Sequence, residues 1–250
     1  MIAFITGASS GIGRASALKM AALGYDCIVC GRREERLISL QHQIENLGRK
    51  AKVLVFDVAS ESQVQEAWNS LPSDWQNVDV LVNNAGGAHG LEPIHQGSTT
   101  DWVAMIDSNL KGLLLVSKPI MEVMVSRNQG HIINITSIAG KEVYPNGNVY
   151  CGVKHAADAI TRGMRADLYP HGIKVSSIAP GLVETEFSLV RFKGDEERAQ
   201  KVYEGFQPLT AEDIADTLGY VVSAPEHVVI ADVVIFPKAQ GSSQLVKRQA

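Results

Sequence analysis

Short apolar runs alternate with longer amphipathic stretches along most of the chain. The apolar runs, which are rich in Ile and Val, cover residues 2–5, 26–31, 51–56, 79–82, 131–136, 173–178 and 228–235. Apolar residues at helical spacing fill most of the intervals between them. This alternation predicts an α/β fold over residues 1–250. We expect a single doubly wound Rossmann-type domain, with a seven-stranded parallel sheet and helices on both faces.

Two segments depart from this alternation. Residues 187–205 mix charged and apolar residues, and they include Arg191. Because long loops often carry substrate contacts, we predict a mobile substrate lid in this segment. An exposed amphipathic helix is the alternative. Residues 240–250 are mostly polar, and we predict that they form a loose tail.

A glycine-rich turn follows the first predicted strand, and a helical pattern begins directly after it. Glycine allows backbone N–H groups to approach a pyrophosphate at the N-terminus of a helix. Strand, turn and helix in this order predict dinucleotide binding. The residues of the turn are Gly7, Ala8, Ser9, Ser10, Gly11, Ile12 and Gly13.

The second predicted strand is followed by two arginines, Arg32 and Arg33. NAD-binding units usually place a carboxylate at this point to bind the ribose hydroxyl. A guanidinium group instead binds phosphate in a bidentate way, so the pair predicts NADP rather than NAD. The alternatives are that both arginines only face solvent, or that Glu34 reaches the ribose.

Polar and small residues follow the third and fourth predicted strands. Asp57 ends one of them, and a carboxyl end of a parallel strand lies on the ligand side of the sheet. Asn83 and Asn84 end the other, and the small residues after them permit close approach of a ligand. The alternative is that the two asparagines only satisfy backbone groups.

Ser137, Tyr150 and Lys154 form a candidate catalytic set. Tyr150 and Lys154 are four residues apart, so on a helix they share one face. A free tyrosine has a pKa near ~10, and a neighbouring ammonium favours the phenolate and lowers that pKa. We therefore predict Tyr150 as a general acid/base and Ser137 as a hydrogen-bond donor to a substrate oxygen. The alternative is an ordinary pair of helical residues.

Composition narrows the possible functions. Of the 250 residues, 45% are apolar, and the net charge is −4 without a basic run, which argues against a nucleic-acid partner. Cys27 and Cys30 have C-x-x-C spacing, but in a strand they point to opposite faces, so we predict buried thiols and no metal site. No apolar run approaches ~18 residues, so we expect a cytoplasmic protein without a membrane partner.

Taken together, the motifs resemble those of the short-chain dehydrogenase/reductase family, over nearly the whole chain. They are the glycine turn, residues 83–86, Ser137 with Tyr150 and Lys154, and residues 180–181. Three further stretches resemble the NADP-dependent 3-hydroxy acid dehydrogenases, a group that includes the serine and allo-threonine dehydrogenases. These stretches are residues 31–33, 106–109 and 190–195.

The resemblance implies roles for individual residues. Tyr150 would be the acid/base, Lys154 would lower its pKa and hold the nicotinamide ribose, and Ser137 would polarise the substrate oxygen. Asn109 would anchor a chain of water molecules that leads to the lysine. Further cofactor contacts would come from Asp57, Val58, Asn84, Ala85, Gly86, Pro180, Gly181, Val183 and Thr185.

These observations predict an oxidoreductase that transfers a hydride between NADP(H) and a small 3-hydroxy acid. A hydroxy acid needs a cation for its carboxylate, and we expect Arg191 because it is the arginine nearest to residues 180–181 in sequence. The alternatives are a 3-oxoacyl-carrier-protein reductase and a protein that senses NADP without turnover. The resemblance also implies a homotetramer.

Overall fold

Seven parallel strands form one sheet in the computed structural model, which describes residues 1–249. The order across the sheet is β3-β2-β1-β4-β5-β6-β7, and every neighbouring pair is parallel. The predicted fold is therefore confirmed. The strands are β1 (Ile2–Ile5), β2 (Asp26–Gly31), β3 (Ala51–Val55), β4 (Val80–Asn83), β5 (Gly130–Ile135), β6 (Ile173–Pro180) and β7 (Asp232–Ile235).

The order in which strands are added to the sheet changes side at β1, between β1 and β4. From β1 the chain continues outward to β2 and β3, and it then returns to the other side of β1 as β4. In open parallel sheets, a ligand binds at the carboxyl ends of the strands beside such a reversal. The topology therefore places a binding crevice where β1 and β4 end.

Helices cover both faces of the sheet. Helices α1 (Gly11–Ala22), α2 (Glu34–Asn46) and α9 (Ala211–Val222) pack on one face, and α3 (Glu61–Asn69), α5 (Gly112–Arg127) and α6 (Asn148–Leu168) pack on the other. Helix α4 (Thr99–Ile106) precedes α5. Within residues 1–249, no helix is both long enough and apolar enough to cross a membrane.

The central strands are buried on both faces, which explains their continuous apolar sequence. Cys27 and Cys30 show this directly, because Cys27 lies in the core on one face of the sheet and Cys30 lies in the core on the other. Burial raises the pKa of the Cys27 thiol to about 12. The prediction that these are buried thiols on opposite faces is confirmed.

The segment over residues 187–205 is more regular than the sequence indicated. It contains two short helices, α7 (Phe187–Arg191) and α8 (Glu196–Lys201), where the sequence suggested an irregular loop. The Asp195 side chain accepts a hydrogen bond from the N–H of Arg198 and caps α8. Such local capping is what makes a charged, six-residue helix possible.

Residues 240–249, which the sequence predicted as a loose tail, make hydrogen bonds to other segments of the structure. The side chain of Gln240 is buried, and its Oε1 accepts a hydrogen bond from the N–H of Leu182 at 2.8 Å. The backbone of Lys247 donates to Ala239, and that of Gln249 donates to Gly205. Gln240 thus pairs with the segment that follows β6, a contact that the polar composition of this stretch did not indicate.

This docking predicts that Gln240→Ala lowers the free energy of unfolding. The variant leaves the Leu182 N–H, which is partly buried, without its acceptor, at a cost of about 1–3 kcal/mol. Urea-induced unfolding followed by circular dichroism measures the difference. Lys247→Ala, at an exposed position of the same tail, is the matched control and should change stability by less than about 0.5 kcal/mol. Equal effects of the two substitutions would contradict the docking.

Candidate active site

A cleft of about 760 Å³ lies along the carboxyl ends of β1, β4, β5 and β6. Most of the residues that the sequence singled out line it. They are Gly7, Ser9, Ser10, Gly11, Ile12, Arg32, Arg33, Asp57, Val58, Asn84, Ala85, Gly86, Ser137, Tyr150, Lys154, Pro180, Gly181, Val183, Thr185 and Arg191. Ala8 and Gly13, which also belong to the glycine turn, are buried and do not line the cleft.

The glycine turn forms one end of this cleft. Gly7 and Gly11 have φ values of +64° and +49°, which disfavour side chains. A Cβ atom on Gly13 would lie 2.3 Å from the carbonyl oxygen of Gly7, so only glycine fits there. The Ser10 side chain makes no capping hydrogen bond to α1. The first N–H groups of this helix are therefore available to an anion.

Asn84 and Thr6 tie the turn to the end of β4. The Nδ2 atom of Asn84 donates to the carbonyl oxygens of Thr6 and Gly7 at 3.0 and 3.3 Å. In return, the Thr6 hydroxyl accepts hydrogen bonds from the N–H groups of Asn84 and Ala85, each at 2.8 Å. Asn84 thus satisfies backbone groups, as the alternative interpretation expected, and it also holds the wall of the cleft.

The two predicted arginines stand beside the glycine turn. Arg33 Nη2 donates to the hydroxyls of Ser9 and Ser10 at 3.0 and 2.6 Å, and Arg33 Nη1 pairs with Glu186 at 2.7 Å. Arg32 lies 3.6 Å from the carboxylate of Asp57. Both side chains are exposed, Arg32 more so than Arg33, and they follow the end of β2. A phosphate group at this position would meet two cations.

Tyr150 and Lys154 lie one turn apart near the start of α6, at the other end of the cleft. The Nζ atom of Lys154 is 5.9 Å from the centroid of the Tyr150 ring, and it donates to the carbonyl oxygen of Ile135 at 3.2 Å. Ser137 follows β5, and its Oγ atom accepts a hydrogen bond from the N–H of Ala139 at 3.1 Å. Ser137, Tyr150 and Lys154 all line the cleft. The predicted set is thus assembled at one point.

The pKa values of this set differ from the sequence-based expectation. Burial raises the pKa of the Tyr150 phenol above its ordinary value of 10, while Ser137 and Arg191 oppose the rise. Burial also lowers the pKa of Lys154 from 10.5 to about 8. The predicted net lowering of the Tyr150 pKa is therefore not seen in the protein by itself, because desolvation disfavours the charged forms of both side chains.

Asn109 lies in a π-helical turn, Asp107–Lys111, between α4 and α5. Its Nδ2 atom donates to the carbonyl oxygens of Gly87 and Met105 at 2.8 and 2.9 Å. Its Oδ1 atom is buried without a hydrogen-bond partner among residues 1–249 and faces Gly86. A buried acceptor of this kind calls for a donor such as water. Asn109 itself stays behind the lining of the cleft.

Arg191 brings a cation to the Tyr150 end of the cleft. Its guanidinium carbon is 5.7 Å from the ring centroids of both Tyr144 and Tyr150. Its Nε atom donates to the carbonyl oxygen of Gly90 at 3.0 Å, and Nη1 donates to the Tyr144 hydroxyl at 3.2 Å. Two hydrogen bonds thus hold the guanidinium, and its remaining N–H groups are available to an anion.

Sequence reasoning did not identify three residues of the site, which are Tyr144, Glu186 and Arg36. Tyr144 orients Arg191, and Glu186 bridges Arg33 and Arg36. Glu186 and Arg33 are 153 residues apart in sequence, so no local pattern joins them. A weak signal existed for Arg36, which lies in the first turn of the helix that follows Arg32 and Arg33.

The arrangement suits an extended dinucleotide that carries an additional phosphate. The glycine turn would hold the pyrophosphate, because no side chain caps α1 and its first N–H groups are available to an anion. The arginines beside Ser9 would hold a phosphate at the ribose, and the far end of the molecule would meet Tyr150 and Lys154. Every element of this fit belongs to one continuous cleft.

Comparison with known proteins agrees with this fit. A family model described as short chain dehydrogenase matches residues 1–195. The NADP-dependent 3-hydroxy acid dehydrogenase YdfG of Salmonella typhi is 44% identical over 246 residues, which are 98% of each chain. The serine 3-dehydrogenase of Agrobacterium fabrum is 39% identical over 236 residues, covering 94% of this chain and 93% of its own.

A solved structure extends the likeness to three dimensions. The closed form of a serine dehydrogenase complexed with NADP+ is 41% identical, and the alignment covers 100% of both chains with a TM-score of 0.93. Sequence motifs, the geometry of the cleft and these relatives all agree. The chain belongs to the short chain dehydrogenase family, as its motifs predicted.

Proposed function

We propose that this protein transfers a hydride between NADP(H) and a small 3-hydroxy acid, with Tyr150 as the acid/base. The substrates would be of the L-serine, L-allo-threonine, 3-hydroxypropionate or 3-hydroxyisobutyrate type. One observation carries this choice of substrate: the guanidinium of Arg191 lies 5.7 Å from the ring centroid of Tyr150. A molecule whose hydroxyl meets Tyr150 could therefore place a carboxylate on Arg191.

The cofactor assignment rests on the arginines and on the relatives. Arg32 and Arg33 offer two guanidinium groups where β2 ends, and guanidinium binds phosphate in a bidentate way. The curated relative from Salmonella typhi is described as NADP-dependent, and the aligned serine dehydrogenase contains NADP+. Both point to a 2′-phosphate on the cofactor of this protein.

The nicotinamide ring, when bound, supplies the hydride chemistry. In the oxidation, the phenolate of Tyr150 takes the proton of the substrate hydroxyl, and in the reduction the phenol returns it. Ser137 donates a hydrogen bond to the same substrate oxygen. Lys154 supplies the positive charge that favours the phenolate, and the carbonyl of Ile135 orients it. These roles need the hydroxyls of Ser137 and Tyr150 to reach the same substrate oxygen, and both residues line the cleft.

The charge around the lid disfavours a carrier-protein substrate. A large acidic partner would need a basic patch, for which Arg191, Lys193 and Arg198 are the candidates. Arg191 points into the cleft, Lys193 pairs with Asp101 at 2.9 Å, and Arg198 stacks on Phe192 at 4.3 Å. The three side chains therefore do not form a basic surface patch. The charge of this region suits a small acid better than it suits an acidic carrier protein.

We also propose a homotetramer, as the family resemblance implies. Among the exposed apolar side chains of the described chain are several on α4, α5, α9 and β7, and contacts between subunits would cover them. They are Val103 and Ile106 on α4, Leu114 on α5, Tyr220 on α9 and Val234 on β7.

The substrate proposal is tested by a screen of purified protein for a change in NADPH absorbance. We expect turnover with the four hydroxy acids and little with acetoacetyl thioesters. In Arg191→Ala, loss of charge-assisted hydrogen bonds should raise the KM for the hydroxy acid about 10- to 100-fold, with little change in the KM for NADP+. Lys201→Ala, which removes an exposed cation of α8, is the matched control.

The outcomes of this screen separate the candidates. Thioester turnover without hydroxy-acid turnover would favour the carrier-protein reductase. Binding of NADPH without turnover of any compound would favour the sensing protein. An unchanged KM for serine in Arg191→Ala would remove Arg191 from the proposed site.

Tyr150→Phe tests the acid/base role. Loss of the phenolic proton should lower kcat about 10²- to 10⁴-fold, while the Kd for NADPH stays similar because the ring remains in place. Fluorescence titration measures the Kd, and Tyr169→Phe at an exposed position is the control. A rate close to that of the wild type would contradict the role of Tyr150.

Lys154→Met should stabilise the fold while it inactivates the enzyme. Because burial lowers the pKa of Lys154 from 10.5 to about 8, the unfolded chain binds this proton more tightly than the folded protein does. The charged amine therefore costs folding free energy below about pH 8, and the cost fades as pH rises to about 10.5. At pH 7, we expect the variant to gain about 1–3 kcal/mol in free energy of unfolding.

Urea unfolding at several pH values measures this gain, which should shrink between pH 8 and pH 10. Lys118→Met replaces an exposed lysine and should leave stability within about 0.5 kcal/mol of the wild type. A Lys154→Met protein that is less stable at pH 7 would show that the buried ammonium carries no such cost.

A further inference from the structure

Glu186 makes a double ion pair across the phosphate end of the cleft. Its Oε2 atom lies 2.7 Å from Arg33 Nη1, and its Oε1 atom lies 2.6 Å from Arg36 Nη1. The two hydrogen bonds hold the pKa of the Glu186 carboxyl down at about 2. Glu186 therefore stays charged at every pH at which the protein would work.

The segment that carries Glu186 runs across the whole cleft. Beside Glu186, Thr185 packs on the glycine turn, because a Cβ atom on Gly11 would lie 3.2 Å from the Thr185 methyl carbon. Phe187 packs on Tyr150, with ring centroids 5.6 Å apart. Residues 185–187 thus contact both the phosphate end and the catalytic end, and α7 continues from them to Arg191.

An acid is an unexpected residue at this position. The arginines suit a phosphate, and a carboxylate beside them lowers the local positive potential, which by itself would weaken anion binding. The carboxylate therefore needs another reason to be there. Its contacts supply that reason, since Glu186 joins the segment after β6 to α2 and to the residue before α2, at the side of the cleft that Glu186 and Arg33 line.

We infer that Glu186 is a positioning residue that retains the cofactor, by latching the segment of residues 185–191 to Arg33 and Arg36. The inference rests on the cofactor placement proposed above. With the latch formed, residues 185–187 lie over the pyrophosphate turn, and a bound dinucleotide leaves only after the two ion pairs separate. The latch also keeps Arg191 near Tyr150, because α7 follows Glu186 directly.

The test measures the rate at which NADPH leaves the protein. Protein loaded with NADPH is mixed with excess NADP+ in a stopped-flow instrument, and the loss of NADPH fluorescence gives koff. For Glu186→Gln and Arg36→Gln, we expect koff to rise about 3- to 10-fold, as loss of one or two partly exposed ion pairs implies. The double variant should release NADPH no faster than the faster single variant, because both changes break one latch.

The directions in which koff changes in Glu186→Gln and Arg36→Gln distinguish a latch from a simple charge effect. If Glu186 acted only through its charge, its removal would slow the release of an anionic cofactor, whereas removal of Arg36 would hasten it. A latch predicts faster release in both variants. Slower or unchanged release from Glu186→Gln would therefore overturn the inference.

Glu184→Gln is the matched control. Glu184 lies two residues earlier in the same segment, is exposed, and forms no ion pair within residues 1–249, so its koff should equal that of the wild type. A change equal to that of Glu186→Gln would also overturn the latch. Failure of the wild-type protein to bind NADPH would instead overturn the proposed cofactor, so the two failures are distinguishable.

Discussion

Burial of the Lys154 ammonium group at the end of β5 is the constraint on which the catalytic end of this protein depends. The amine is held by the carbonyl oxygen of Ile135 beside the Tyr150 ring, and its burial lowers its pKa to about 8. A lysine so placed destabilises the fold, which is typical of functional sites. The surrounding elements tolerate it because β5, α6 and the Ser137 turn are themselves firmly packed.

The phosphate end is built on a different principle. There, the glycine turn leaves N–H groups without partners, and arginines stand nearby at partly exposed positions. Charge at this end is screened by solvent, so it favours recognition of an anion more than it stabilises the fold. The segment after β6 connects the two ends, since Thr185 contacts Gly11 and Phe187 contacts Tyr150.

Much of the fold followed from the sequence, because a parallel sheet buried on both faces requires continuous apolar strands. The motif residues also met in one cleft, because the glycine turn, Asn84 and Ser137 follow the carboxyl ends of strands, while Tyr150 and Lys154 lie near the start of α6. Contacts between distant segments left no such pattern. The pairing of Glu186 with Arg33, and of Gln240 with Leu182, depends on how the folded segments meet. The sequence led us to expect a lowered pKa for Tyr150, whereas burial raises it, because helical spacing gives no measure of desolvation.

The most direct test of this account is a crystal structure of the protein with NADP+ bound. The account predicts that oxygens of the 2′-phosphate lie within about 3 Å of a guanidinium nitrogen of Arg32 or Arg33, with the nicotinamide beside the Tyr150 hydroxyl. A complex in which the phosphate contacts neither arginine, or in which Tyr150 points away from the nicotinamide, would contradict it.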